Sequence, residues 1–239
     1  MKKEDLSKAK ILDKIKQYEK TGEIAVTNFL DPREIIEYEN LYYKVPHYLD
    51  GGFDNSERKI LVIGKEEKSE EDNFIIMLKI TSNEKLSHRE VLGSILGTGI
   101  KRDVVGDIVI YENIAYVYVA NEISKYIIQN LDKVGREKVK ISKCNETIEI
   151  VDDSKEINTT LSSLRLDSAI SACYGLSREV SAELIKNNKV KLNYIETTNV
   201  SKSIKEDDLI SVRGYGRFTI FKIVGETRKS RIRVIWKRR

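Results

Sequence analysis

The densest pattern of chemically active side chains lies between residues 165 and 193, in the stretch RLDSAISACYGLSREVSAELIKNNKVKLN. Its cations are arginines and lysines, which bind phosphate, Arg through a planar fork of donors and Lys as a compact point charge. An amide at the end of the stretch can add hydrogen bonding. We therefore expect this stretch to bind a polyanion through Arg165, Arg178, Lys186, Lys189, Lys191 and Asn193.

Two short helices and one strand are predicted to position these side chains. Gly175 stands where a C-terminal stop belongs, after apolar residues that share one helix face: Leu166, Ala169, Ile170 and Cys173. Ser177 is predicted to cap the second helix, which carries Arg178 in its first turn. A cation is unfavourable at a helix start, so a phosphate bound nearby would offset the cost. In the strand that follows, Val190 and Leu192 alternate with the polar residues, which indicates one core face and one polar face.

A second basic segment follows in LISVRGYGRFTIFKIVG, which is predicted to form two strands joined by RGYGR. Its glycines let the backbone approach a partner closely. Arg213 and Arg217 can fork onto phosphate, and Tyr215 can stack or donate a hydrogen bond. The tail RKSRIRVIWKRR adds seven cations and no acid.

Charge is distributed unevenly along the chain. The formal net charge is only +4, but residues 161–239 hold 17 Lys+Arg against 8 Asp+Glu, and the first 160 residues hold 25 against 30. This asymmetry favours a nucleic acid as the partner of the basic part. Two alternatives remain open at this point. In the first, Arg165 and Asp167 form only an ion pair within the module, and Asp167 is structural. In the second, the acidic part docks a protein while the basic tail aids solubility.

Length and composition narrow the class of protein. A chain of 239 residues with 40% apolar residues is long enough for two or three domains, each with its own core. Cys144 and Cys173 are far apart and form no CxxC, so neither a disulfide framework nor a zinc site is indicated. The N-terminal residues lack an apolar signal core, and no run approaches the ~18 apolar residues of a membrane span. We expect a cytoplasmic protein with no membrane partner.

The predicted fold class is α+β. Residues 1–72 should form a helical and sheet region, in which Asp31 and Glu34 of DPRE flank a helix start. Residues 73–144 show the order strand, helix, strand, strand, helix, strand, which is typical of the ferredoxin-like arrangement shared by RNA-recognition motifs. Residues 145–160 are polar and acidic apart from a brief TIEIV strand and should form a linker before a domain at 161–239. Tyr116 and Tyr118 could stack bases, although packing is the stronger interpretation.

Specific motifs carry a resemblance to a known family. RLDxxI, LSRxxxxxLI and KVKLN, in this order, resemble the ribosomal-protein S-four-type RNA-binding domain, also called the αL motif. Nearly the whole chain further resembles the bacterial YlmH family, through FLDPRE, GGFDNSERK, EVLGSILGTGIKRDVVGDI, KVGRE and SVRGYGRF. Two positions depart from the S-four-type pattern, because Tyr194 and Asp207 stand where glycine is usual. These departures bear on the local turns.

The resemblance implies a function as well as a fold. It implies a cytosolic RNA-binding protein that contacts rRNA and tRNA on the large ribosomal subunit. It further implies a role in ribosome-associated quality control, in support of C-terminal tailing of stalled nascent chains. By the motif match Arg165 and Arg178 are the first candidates for RNA contacts. We expect a monomer that binds no DNA.

An enzymatic function is the alternative, because S-four-type modules are also appended to pseudouridine synthases and rRNA methyltransferases. Arg165-Leu166-Asp167 superficially resembles a pseudouridine synthase aspartate motif, but it lies within the predicted binding helix. The glycines of GSILGTG follow a helical pattern, which is a weak indication of a cofactor loop. His47 and His88 have no nucleophile or metal partner visible in the sequence. We therefore expect no catalytic residue, no metal and no cofactor.

Overall fold

The computed structural model describes residues 3–39, 44–148 and 154–238. The chain divides into two compact units, residues 1–150 and residues 151–239. Both combine helices with antiparallel sheets, which confirms the α+β class. Within the described ranges, no helix is both long enough and apolar enough to cross a membrane.

Unit 1 begins with a small helical and sheet region. Its elements are α1 (Lys3–Thr21), β1 (Ala25–Val26), α2 (Pro32–Glu39), β2 (His47–Asp50) and β3 (Ile60–Ile63). The three strands form an antiparallel sheet in the order β1-β3-β2. The predicted start of α2 is confirmed, because Asp31 Oδ1 accepts from the Glu34 N–H at 3.0 Å and Glu34 Oε2 accepts from the Asp31 N–H at 2.7 Å. Reciprocal bonds of this kind satisfy backbone donors at both positions.

The rest of unit 1 has the predicted ferredoxin-like order. Its elements are β4 (Ile75–Thr81), α3 (His88–Gly97), a 3-10 helix (Arg102–Val104), β5 (Val105–Tyr111), β6 (Ile114–Ala120), α4 (Asn121–Asn130), β7 (Lys133–Val134), β8 (Glu137–Lys138) and β9 (Lys140–Cys144). The sheet order is β5-β6-β4-β9 with every neighbour antiparallel, the arrangement of the split-βαβ motif. Both helices of this domain pack against the sheet, because apolar side chains of α3 and α4 share one core with residues of the strands. The core there contains Leu78, Val91, Val117 and Ile127.

A partly buried polar network joins the two parts of unit 1. The Arg58 side chain donates to the carbonyl oxygens of Phe29, at 2.8 Å, and Val105, at 3.2 Å. Arg102 also donates to the Val105 carbonyl. The Asp107 carboxylate accepts from the Glu57 N–H at 2.6 Å. The motifs FLDPRE, GGFDNSERK and KRDVVGDI thus meet at one place and connect the N-terminal sheet to β5.

Unit 2 is built on one large antiparallel sheet. Its elements are β10 (Lys155–Leu161), α5 (Leu166–Tyr174), α6 (Arg178–Lys186), β11 (Val190–Leu192), β12 (Ile195–Glu196), β13 (Leu209–Val212), β14 (Gly216–Glu226) and β15 (Ile232–Arg238). The strand order is β10-β15-β14-β13-β11-β12. The apolar face of α5 packs with Ile185, Phe218 and the fully buried Trp236 in one core.

The predicted linker over residues 145–160 needs correction. Residues 155–161 form β10, whose whole length pairs with β15. Backbone hydrogen bonds to β15 explain why the polar residues 155–161 form a strand, since such bonds do not depend on apolar side chains. Part of the predicted TIEIV strand, residues 149–151, lies outside the described residues.

Candidate nucleic-acid interface

Arg165 and Arg178 meet around one carboxylate. Arg165 Nε and Nη2 donate to Asp167 Oδ1 and Oδ2, at 3.1 and 3.2 Å. Arg178 Nε and Nη2 both donate to Asp167 Oδ2, at 3.1 and 2.7 Å. The ion pair anticipated between Arg165 and Asp167 is therefore present, and it extends to a second arginine. The two guanidinium groups belong to residues 13 positions apart in the sequence, and this carboxylate holds them together.

The exposure of the three side chains is unequal. The Asp167 side chain is only 6% exposed, whereas those of Arg165 and Arg178 are 43% and 47% exposed. Burial alone would raise the pKa of Asp167, but the hydrogen bonds from the two arginines outweigh it and hold the pKa below its ordinary value. The carboxylate thus stays ionised inside the module while the cations face water. Such an arrangement fixes the two guanidinium groups in place and leaves part of each accessible to an anion.

Local helix geometry explains why the arginines can meet. Arg165 is the N-cap residue of α5, and Arg178 is the first residue of α6. The predicted stop and cap between the helices are confirmed, because Gly175 adopts a left-handed φ of 68° and Ser177 Oγ accepts from the Val180 N–H at 3.1 Å. Asp167 in the first turn of α5 offsets part of the unfavourable position of the cations. The short connection therefore brings the two helix starts to one carboxylate.

Four further predicted residues line one groove. This groove has a volume of about 610 Å³ and includes Lys189, Lys191, Arg213 and Arg217. Strand pairing explains the grouping, because β11 and β13 are neighbours with Lys191 opposite Ser211, and Arg217 is the partner of Ser211 on β14. One carboxylate, Glu196, also lines the groove. Four cations against one acid make this groove, hereafter the basic groove, the most direct match to a phosphate backbone.

The remaining predicted residues have different surroundings. Lys186 is exposed at the last position of α6 and does not line the basic groove. Tyr215 is 44% exposed in the turn between β13 and β14, with its ring 5.4 Å from that of Tyr174. The sequence therefore suggested a single surface, whereas the structure groups the cations around Asp167 and in the basic groove.

Asn193 has an internal role, which corrects its assignment as an outward-facing amide. Its Nδ2 donates to Asp208 Oδ1 at 2.9 Å, and its Oδ1 accepts from the Leu209 N–H at 2.9 Å. Both ends of the amide are used to tie the β11–β12 turn to the start of β13. Asn193 was predicted to contact RNA because its amide can form hydrogen bonds, but the structure uses that amide for hydrogen bonds within unit 2.

The two departures from the S-four-type pattern keep the backbone shape of a glycine. Tyr194 and Asp207 both have a φ of 66°, in the left-handed region that favours glycine. The Asp207 N–H donates to the Ile220 carbonyl at 2.8 Å, so the turn is held by the sheet. The turns are thus preserved, although Tyr194 and Asp207 adopt a backbone conformation that is strained for residues other than glycine.

The tyrosines of the central sheet are buried, which agrees with the packing interpretation. Tyr116 is 8% exposed and Tyr118 is 4% exposed. The Tyr118 ring lies 4.7 Å from that of Phe53, and Gly52 approaches it so closely that an added Cβ would lie 2.4 Å from its Cδ1. The loop at residues 52–53 therefore covers the part of the sheet on which a base could stack.

Sequence reasoning missed several residues that complete the site. Ser168 Oγ accepts from Arg178 Nη1 at 2.6 Å, and Asn188 and Ser211 line the basic groove. The position of Ser168 next to Asp167 was a usable signal, whereas Ser211 could be placed only with the register of β11 and β13. Among the described residues, no group of three or more His, Cys, Asp or Glu side chains is arranged to hold a metal ion.

Comparison with known proteins adds independent information. A family model described as "YlmH, N-terminal" matches residues 4–68, and one described as "Putative RNA-binding domain in YlmH" matches residues 69–147. A protein of Bacillus subtilis (strain 168), named ribosome-associated protein quality control protein P2, is 33% identical over 228 residues, which cover 89% of this chain and 86% of that protein.

A solved structure is also similar. It is named cell division protein ylmH from Streptococcus pneumoniae, and it matches with a TM-score of 0.54 and 22% sequence identity. The match covers 60% of this chain and 92% of the solved chain. At this level of identity the similarity supports the fold alone.

Proposed function

Because the chain belongs to the YlmH family, we propose that it is an RNA-binding protein that acts with the ribosome in quality control of stalled translation. The observation that carries this proposal is the basic groove, in which Lys189, Lys191, Arg213 and Arg217 come from separate segments to line one surface. The name of the Bacillus subtilis relative supports the cellular process. A ribosomal partner places the protein in the cytoplasm.

In this proposal RNA phosphates bind in the basic groove and at the two arginines. Cations that neutralise phosphates release counterions, so the binding is strong and falls steeply with salt. Arg165 and Arg178 add donors whose orientation is set by Asp167 before RNA arrives, which lowers the conformational entropy lost on binding. The chain acts as a monomer on the large subunit, contacts rRNA and tRNA, and supports C-terminal tailing of stalled nascent chains.

The proposed activity is binding without catalysis. Asp167, in the segment that superficially resembles a synthase aspartate motif, is buried and accepts hydrogen bonds from two arginines. Attack on a base would require this buried carboxylate to become accessible and to give up hydrogen bonds to both arginines, so we assign it a structural role. Modification of rRNA bases by the purified protein would contradict this part of the proposal.

The basic groove can be tested with a triple variant, Lys189→Gln, Lys191→Gln and Arg213→Gln. If these cations contact phosphates, the log-log slope of affinity for purified large ribosomal subunits against salt becomes shallower by about 2. Affinity at 100 mM salt then falls by at least roughly tenfold. The measurement is cosedimentation or fluorescence anisotropy at 50, 100 and 200 mM salt.

A matched control removes three exposed cations elsewhere in unit 2, through Lys222→Gln, Arg228→Gln and Lys229→Gln. Folding of both variants is checked by fluorescence of Trp236, the sole tryptophan of the chain, which is fully buried in unit 2. Equal affinities for the two variants would overturn the assignment of the basic groove. Replacing both arginines by alanine is a poorer test, because it leaves Asp167 buried without its partners.

A further inference from the structure

A second concentration of positive charge lies in unit 1, where the overall balance is acidic. Residues 133–143 contain five cations and one acid: Lys133, Arg136, Lys138, Lys140 and Lys143, with Glu137. The first three belong to the hairpin formed by β7 and β8, and the last two belong to β9. All five side chains are exposed. We refer to residues 133–138 as the basic hairpin.

The geometry of the basic hairpin places like charges side by side. Lys133 and Lys138 are direct partners in the antiparallel pair, and Val134 pairs with Glu137. Val134 is buried at 3% exposure, so the lysine pair projects from the opposite face, towards solvent. Like charges opposite each other repel and destabilise a hairpin. In the part of the chain that the structure describes, no carboxylate forms an ion pair with either lysine, so none of the described carboxylates neutralises this pair of charges.

The basic hairpin is nevertheless held firmly. Val134 belongs to the core of the central domain together with Val91 and Ile95 of α3. The Gly135 N–H donates to Ser94 Oγ at 3.0 Å, which fixes the turn to the same helix. The cations therefore stand on a rigid support, and an anionic partner would pay little entropy to order it.

The usual surface for RNA on a sheet of this type is occupied. Bases stack on exposed aromatic side chains of the open sheet face in RNA-recognition motifs. Here Tyr116 and Tyr118 are buried, and Phe53 lies against Tyr118. The open sheet face is therefore poorly suited to base stacking, whereas the basic hairpin presents three exposed cations on another part of the domain.

One structural explanation accounts for only part of the charge. β9 is an edge strand of the four-stranded sheet, and lysines on edge strands discourage pairing with other chains. That explanation applies to Lys140 and Lys143. It explains less of the charge on Lys133, Arg136 and Lys138, because β7 and β8 are only two residues long each and offer little edge for another chain to pair with.

We propose that the basic hairpin, through Lys133, Arg136 and Lys138, is a second RNA-contacting surface that binds the phosphate backbone without base stacking. This inference rests on the proposed function, since it assumes that the chain binds ribosomal RNA through unit 2. The basic hairpin binds RNA independently of base identity, because contacts from Lys or Arg to phosphate do not read the base sequence. The basic hairpin thereby adds affinity and fixes the orientation of unit 1 on the RNA.

The test uses the full chain with the triple variant Lys133→Gln, Arg136→Gln and Lys138→Gln. With purified large ribosomal subunits as the probe, the log-log salt slope should become shallower by about 2, and affinity at 100 mM salt should fall by roughly tenfold or more. The matched control is Lys8→Gln, Lys16→Gln and Lys20→Gln, which removes three exposed lysines from α1 of the same unit. This control should bind like the wild type.

The outcomes separate the two proposals. If the hairpin variant binds like its control while the basic-groove variant loses affinity, the hairpin proposal is overturned and the proposed function stands. If wild-type protein does not bind the subunits, both proposals fail. Gel filtration tests whether the three cations instead prevent aggregation. A hairpin variant that aggregates yet keeps its RNA affinity would also overturn the proposal. A photo-crosslinking residue at position 136 should label RNA, and labelling of ribosomal protein alone would contradict an RNA partner.

Discussion

Two clusters of arginine and aspartate, one in each unit, use the same side chains in opposite ways. In unit 1, Arg58 and Arg102 are partly buried and donate to backbone carbonyls, including that of Val105. In unit 2, Asp167 is buried and its two arginine partners are about half exposed. The first cluster directs its cations inward to close the fold, whereas the second directs them outward. Composition alone therefore cannot tell a structural arginine from a binding one.

The pKa directions follow the same division. Burial lowers the pKa of Arg102 to about 10, with help from the nearby charge of Arg58. Burial also raises the pKa of Asp107, although the N–H groups of Glu57 and Arg58 oppose the change. In unit 2 the balance is reversed, because the arginines hold the pKa of Asp167 low despite burial. In unit 1 burial outweighs the opposing contacts, whereas in unit 2 the hydrogen bonds and charges of Arg165 and Arg178 together outweigh burial.

The largest expected effect comes from Arg58→Met. It removes the Arg58 donor from the Phe29 carbonyl, leaves the Val105 carbonyl with Arg102 as its side-chain donor, and removes positive charge beside Asp107. The free energy of unfolding of unit 1 should therefore fall by about 3 kcal/mol. Hydrogen exchange of β3 and β5 measures this loss. Arg89→Met, an exposed site on α3, is the matched control and should cost little. If the Trp236 fluorescence of the variant changes over the same denaturant range as in the wild type, unit 2 is unaffected. If that range also shifts to lower denaturant, the two clusters do not stabilise their units independently.

A smaller effect is expected for Asp167→Asn. Losing charged hydrogen bonds to Arg165 and Arg178 should lower the free energy of unfolding reported by Trp236 by about 2 kcal/mol. Affinity for large subunits should also fall severalfold, because the guanidinium groups lose their fixed orientation. Net charge alone makes the opposite prediction, since the substitution makes unit 2 more positive.

Asp207→Asn is the control for this experiment, because it makes the same change in charge at an exposed carboxylate. It should leave stability and affinity close to those of the wild type. An affinity increase in both variants would mean that charge, not orientation, determines RNA binding at these arginines.

The smallest effect is a difference in pH dependence. Asp167 has a depressed pKa in the folded protein, so its contribution to stability is present above the ordinary pKa of about 3.9 and is lost as pH falls through the lower, folded value. Asp107 has a raised pKa, so its ionisation costs stability as pH rises from about 4 through the raised value. Unfolding measured between pH 3 and 7 should show opposite slopes for the two contributions, each obtained as wild type minus the Asn variant. If the Asp167 and Asp107 contributions to the free energy of unfolding changed with pH in the same direction, the proposed difference between the two clusters would be wrong.

Local patterns predicted much of the fold. The Asp31 start of α2 and the Gly175 stop depend on neighbours within a few residues, so sequence spacing was sufficient. Ser87 Oγ accepts from the Glu90 N–H at 3.3 Å, as the spacing predicts. Asn121 is the first residue of α4 and does not cap the helix, because the N-cap position is occupied by Ala120, which makes no side-chain capping bond. The Asn121 Nδ2 donates to the Asn73 carbonyl at 2.9 Å, a partner 48 residues away that no local pattern reveals.

The candidate site was predicted in its residue types more than in its geometry. The motif match named Arg165, Arg178 and Lys191, and all three are accessible or line a groove. Asn193 was misplaced because an amide in an alternating strand looks outward, whereas its backbone φ of 48° places it in a turn. The backbone conformation redirected its side chain towards Asp208.

By itself the sequence determined the α+β class, the family, the uneven charge and the cations available for RNA, because composition and local periodicity encode these directly. Only the tertiary structure decided which cations meet. Strand register brought Lys191 and Arg217 to one groove, the helix connection brought Arg178 to Asp167, and the loop at residues 52–53 covered Tyr118. These outcomes depend on contacts between residues far apart in the chain, which no local pattern specifies.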